Sequence, residues 1–174
     1  MGRPRATFTS ILVLGCTTLL WADSPDPPKL TMTPAVICAK INGYGDYVRL
    51  DEPVLSRDEK MLVYYETSGH AHEIVGKEYR VHLVQDGRIR RKGEKKVLQA
   101  KDKLVDYKGK SKQPPLNIFL TNTIALKDLA PGEYELEIVL HDELSKGTTA
   151  SQLLRFRVKA ASPDDPGKTD GKAR

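Results

Sequence analysis

The sequence predicts an all-β protein, a single antiparallel two-sheet β-sandwich of about seven strands. Three observations predict it. Short runs of hydrophobic residues with period two recur between residues 35 and 159, separated by Gly, Asn and Asp turn signals. The clearest run, Glu133 to Leu140, sets Tyr134, Leu136, Ile138 and Leu140 on one phase and Glu133, Glu135 and Glu137 on the other. That is the pattern of a strand buried on one face only. No long amphipathic helix competes, since Val97 to Val105 is the only stretch with helical character.

The elements follow in order. Ala35 to Ile41 is short and apolar and stops at Asn42-Gly43. Lys60 to Thr67 is a β-prone run containing Met61, Leu62, Val63, Tyr64 and Tyr65. Glu78 to Gln85 alternates Tyr79, Val81 and Leu83 against Arg80 and His82. Asp86-Gly87 then predicts a tight hairpin turn, with Arg88 to Arg91 as the returning strand. Leu116, Ile118 and Leu120 alternate next, with Ile124 and Leu126 behind them. After the Glu133 strand and a polar loop over Asp142 to Ser151, Leu154, Phe156 and Val158 alternate with Arg155, Arg157 and Lys159. The glutamate and arginine faces of these last two strands should pair across the ladder.

The ends have a different character. Arg3 and Arg5 precede an uncharged stretch, Phe8 to Ala22, that is 15 residues long. A bilayer span needs roughly 20. Proline-rich sequence follows at Asp23. Residues 1–22 are therefore read as a signal peptide cleaved after Ala22. Two alternatives stand beside it: lipidation of Cys16 within Val13-Leu14-Gly15-Cys16, and an uncleaved anchor. The expected location is exported, periplasmic or extracellular, with membrane attachment only if Cys16 is lipidated. Residues 23–34 read as a Pro-rich linker, 35–159 as the domain and 160–174 as a disordered tail. The mature chain would carry 26 basic and 23 acidic residues, and Cys38 would be its only cysteine. An exported domain of that kind is held by its core without an internal disulfide.

Leu129-Ala130-Pro131-Gly132-Glu133-Tyr134 resembles the corner of fibronectin type III and other immunoglobulin-like domains. The resemblance implies an immunoglobulin-like sandwich in which the Tyr134 hydroxyl bonds back to the backbone. It marks fold rather than activity. Cys38-Ala39-Lys40-Ile41, Gly43-Tyr44-Gly45, Tyr64-Tyr65-Glu66 and the Pro-Gly-x-Tyr ending together resemble a set of uncharacterised secreted proteins of planctomycete-type bacteria. That second resemblance carries no activity across.

Chemistry is sparse. There is no Gly-x-Ser-x-Gly elbow and no Gly-rich phosphate loop, and no cofactor is expected. His70, His72 and Glu73 have ligand chemistry for zinc or copper, but a polar loop that happens to hold two histidines is the favoured reading. His82 and His141 fall on polar phases of strands that would be neighbours. Cys38 reads as a small buried residue.

The most unusual feature is Gly87 to Lys112, with eleven basic residues against three acidic ones, a net +8. Arg88, Arg90, Arg91, Lys92, Lys95 and Lys96 open it. A solvated face or a guard against edge pairing is the simpler account; anion binding is the other. Only Tyr107 interleaves with the charges, so no nucleic-acid partner is expected. The expected function is a non-catalytic binding or interaction module of a bacterial envelope or secreted space. Its partner would be another envelope protein or an acidic polysaccharide. A polyanion-binding protein holding an acidic polysaccharide or lipid head group, and a metal-dependent protein using the histidines, are the alternatives.

Overall fold

The computed structural model describes residues 29–160. Every regular element among them is a β-strand: β1 Thr31–Met32, β2 Val36–Gly43, β3 Asp46–Arg49, β4 Val54–Leu55, β5 Lys60–Ser68, β6 Glu73–Val75, β7 Glu78–Arg91, β8 Val97–Ser111, β9 Asn117–Ala125, β10 Gly132–Asp142 and β11 Thr149–Val158. Eleven strands replace the expected seven or so, because short edge pieces and the long charged segment also pair. The stretch read as a signal peptide, with Cys16, half of the stretch read as a linker and the residues from 161 onward lie outside the described residues.

The strands form two sheets. In the first, β5 is central: β9 lies along one edge, β1 and β2 share the other, and β3 follows β2. In the second, β4, β11, β10, β7 and β8 run in order, with β6 beside β10 on the same edge of β7. All pairings are antiparallel except β4 with β11, so the second sheet is mixed.

The two sheets enclose one core. Met61, Val63 and Tyr65 of β5 and Ile118, Leu120 and Ile124 of β9 face it from the first sheet. Tyr134, Leu136, Ile138 and Leu140 of β10, with Leu154, Phe156 and Val158 of β11, face it from the second. These seven are the inward residues the alternation predicts. Leu116 departs from its pattern, since it precedes β9 and is 79% exposed. Leu30 is buried and β1 pairs with β5, so the domain begins inside the stretch read as linker.

A polar bridge crosses the core. Gln85 of β7 is fully buried, and its Oε1 accepts bonds from the Tyr65 hydroxyl at 2.6 Å and the Asn122 amide at 2.9 Å. Tyr65 and Asn122 belong to the first sheet, so the bridge also fixes the registry between sheets. The Tyr134 hydroxyl donates to the Ala130 carbonyl at 2.5 Å, as the corner motif implies.

Two sequence expectations are corrected. Asp86-Gly87 is not a hairpin turn, and Arg88 to Arg91 do not return: β7 runs unbroken through all of them. Gly87 lacks positive φ. Its small size has another use, because a Cβ there would lie 2.8 Å from Leu104 Cδ2. Asp86 instead caps a β-bulge in β8, where its Oδ1 accepts the Lys103 backbone N–H at 2.9 Å and Lys103 holds φ 51°. The stretch with helical character, Val97 to Val105, is the first half of β8. Its apolar pairs, Val97-Leu98 and Leu104-Val105, are spaced by this bulged strand rather than by a helix.

Candidate functional site

The charged segment forms one long hairpin, β7 to β8, turning at Lys92–Lys96. Gly93 takes φ +79° in that turn. β8 pairs only with β7 among the described residues, so its other edge is free. An open edge of 15 residues invites pairing with another chain, and lysines along it oppose that.

The cations of β7 do not converge. Arg88 and Arg90 face outward, whereas Arg91 pairs opposite Tyr134 on the inner phase, its guanidinium carbon 5.5 Å from the ring centroid. Arg90 is ion-paired with Glu137. Lys92 reaches Glu133 at 2.8 Å, and Arg157 reaches the same carboxylate at 2.8 Å. Arg155 meets Glu135 at 3.2 Å. The expected glutamate–arginine ladder therefore forms, and the hairpin's own Arg90 and Lys92 are drawn into it. Hydrogen bonds from Lys92 and Arg157 hold the Glu133 carboxyl down to about 2.

Cations on β8 are less committed. Lys108 lies 3.7 Å from Asp106, whose other oxygen bonds His82 at 2.7 Å. The His82 bond, then Lys108, depress the Asp106 pKa. Lys101, Lys103 and Lys110 have no carboxylate within 4.0 Å among the described residues, and all three are exposed. Arg88, Lys95 and Lys96 are exposed as well.

Next to the turn of this hairpin the sheets part, leaving a cleft of about 580 Å³. Ile89, Leu98, Leu104, Ile124 and Leu136 line it, together with Lys101 and Asp128. Lys101 stands directly opposite Gly87, whose missing side chain would face the core. The cleft was hidden in the sequence. Leu98 and Leu104 were visible as apolar residues in a charged run, but that Leu104 and Lys101, three residues apart, face the same cleft depends on the β8 bulge.

The histidines separate. His70 is 5% exposed, with its Nε2 unpartnered among the described residues, while His72 and Glu73 are exposed. His72 packs edge-on to Tyr79. Burial lowers the His70 pKa, opposed in part by Asp142. No group of three His, Cys, Asp or Glu residues is placed to hold a metal ion among the described residues. His82 and His141 do lie on neighbouring strands, but each is bonded to its own aspartate, Asp106 and Asp86. Cys38 is buried, and desolvation pushes its thiol pKa up, the reverse of what a nucleophile needs.

A second surface escaped the sequence reading. The tip of the β2–β3 hairpin reaches the outer face of β5, where the Gly45 N–H donates to the Tyr64 hydroxyl at 2.8 Å. Tyr47 and Tyr64 ring centroids lie 4.4 Å apart, and Tyr64 and Phe119 5.8 Å apart. The rings make a small satellite core beneath the hairpin. Desolvation pushes the Tyr64 pKa up to about 12.

No known family profile matches the chain, and no curated protein matches it. Among solved structures it is similar to Spo0M, a sporulation control protein from Bacillus subtilis, at 13% identity and a TM-score of 0.41. The match covers 76% of this chain and 50% of that one, so the chain spans half the length of that structure. Among the described residues no helix is long and apolar enough to cross a membrane.

Proposed function

We propose that this chain is an exported, non-catalytic binding module, an elaborated immunoglobulin-like sandwich that meets an anionic partner through the β7–β8 hairpin. The observation that carries the reading is the free edge of β8, where Lys101, Lys103 and Lys110 stand exposed without a carboxylate within 4.0 Å among the described residues. Cations lined along one strand raise the local potential and gather anions by counterion release. An acidic polysaccharide or the acidic face of another envelope protein fits this chemistry. The Tyr134 corner supports the immunoglobulin-like reading of the fold. The apolar segment Phe8 to Ala22 supports export.

The ladder on the outer face alters which cations matter. Arg90 and Lys92 already serve Glu137 and Glu133, so binding falls to Arg88, Lys95, Lys96 and the β8 lysines. The test is retention of the exported protein on an immobilised sulfated polysaccharide, with elution by salt. Lys101→Gln with Lys103→Gln and Lys110→Gln should elute at clearly lower salt than Lys40→Gln with Lys60→Gln and Lys159→Gln. Equal elution of the two triple variants would reduce the effect to net charge and overturn the reading.

A further inference from the structure

We propose that the cleft between the sheets binds the chain of a free anionic amphiphile, a long-chain carboxylate, with Lys101 holding its head group. The inference rests on the hairpin being the binding element and adds the ligand class for its inner side.

Two independent observations meet here. The first is shape and lining. The cleft, about 580 Å³, falls in the range of small-molecule sites, roughly 300–1,000 Å³. Ile89, Leu98, Leu104, Ile124 and Leu136 give it apolar walls. Its outer wall is accessible, since Leu98 is 40% exposed. A solvated apolar surface of this kind gains free energy when a hydrocarbon chain replaces water.

The second is charge. Register sets Lys101 opposite Gly87, on the core-facing phase of β8. A side chain at position 87 would meet Leu104 and Leu136. A lysine on this phase brings its charge to an apolar cleft. Asp128 lines the same cleft, yet no carboxylate of the described residues lies within 4.0 Å of the Lys101 ammonium. The stem of a lysine packs on apolar surface while its head stays at the rim. A carboxylate at the rim would complete the pair, with its chain directed inward. The β8 bulge builds the arrangement, because it turns Leu104 over Gly87 and advances Lys101 into register with it.

The test is calorimetric titration of the exported protein with dodecanoate below its critical micelle concentration. The expected result is one-to-one binding. Lys101→Gln should weaken it about tenfold, the loss of one charge-assisted contact. Dodecyltrimethylammonium should bind at least tenfold more weakly than dodecanoate. Ala125→Phe, at an exposed position lining the cleft, should weaken dodecanoate as well. Leu98→Ser should do the same and stands in if Ala125→Phe lowers the melting temperature. Absence of binding, equal affinity for the cationic amphiphile, or indifference to both lining variants would overturn the proposal. Recruitment to phosphatidylglycerol vesicles without dodecanoate binding would overturn it too, pointing to a membrane surface rather than a free amphiphile. Polysaccharide retention that survives a failure with dodecanoate removes the cleft proposal alone; loss of both removes the hairpin reading with it.

Discussion

Leu136→Ala and Leu140→Ala make the same chemical change two residues apart on β10, and the structure predicts unequal costs. Both side chains are buried, at 1% and 0% exposure. Each truncation removes three carbons, about 2.4 kcal/mol at about 0.8 kcal/mol per buried methylene. Leu140 is enclosed, opposite Gln85 and Ala150. A void on the order of 60 Å³ there adds about 1.4 kcal/mol at about 24 cal/mol per Å³, for a total of about 4 kcal/mol. Leu136 instead lines the open cleft. Its void merges with space that solvent already reaches, so most of the cavity cost disappears and the total stays at about 2–3 kcal/mol. Urea unfolding followed by circular dichroism, with a shared slope, resolves a difference of about 1 kcal/mol from the midpoints. Equal costs, or a larger cost at Leu136, would mean that the cleft is closed in solution.

Other perturbations probe the remaining parts of the account. Tyr134→Phe should cost about 0.5–1.5 kcal/mol by removing the bond to the Ala130 carbonyl, and an unchanged urea midpoint would deny the corner its structural role. Gly69→Ala should be severely destabilising, because Gly69 has φ +69° and a Cβ there would lie 2.1 Å from the Lys29 carbonyl oxygen; a melting temperature within a degree of the parent would contradict this. The His70 pKa is depressed by burial from the ordinary histidine value of 6.5, so the stability it contributes is complete above that value and is lost as pH falls toward the lower folded value. His70→Phe should flatten stability against pH in that window, and a slope unchanged by the substitution would assign it to other groups. Intact mass of the protein recovered from the cells that make it should correspond to a start at or near Asp23; a mass that includes residues 1–22 would refute cleavage, and a diacylglyceryl adduct would point to lipidation of Cys16 instead.

Much of the core was legible because β10 and β11 each have one face in water. Alternation then marks the inner phase without ambiguity, and Tyr134, Leu136, Ile138, Leu140, Leu154, Phe156 and Val158 all lie inward as read. β7 and β8 were harder. Asp86-Gly87 has turn chemistry, but both residues are used in mid-strand: the aspartate caps a bulge and the glycine makes room for Leu104. Placing the turn there hid the length of the hairpin and made a strand look helical. The candidate site was legible only as charge. Composition marked the cations, but not that Glu133 and Glu137 take up Lys92 and Arg90, nor that Lys101 turns toward the cleft. The satellite core of Tyr47, Tyr64 and Phe119 left no periodic signal, because its rings come from three strands and meet only when the β2–β3 hairpin folds across β5.

Amide chemical shifts of the protein, followed during titration with a short sulfated oligosaccharide at low salt, test the hairpin most directly. The account predicts the largest shifts along β8 and the turn before it, at Lys95, Lys96, Lys101, Lys103 and Lys110, diminishing as salt rises. Shifts of similar size around Lys40, Lys60 and Lys159, or centred on His70 to Glu73, would contradict it.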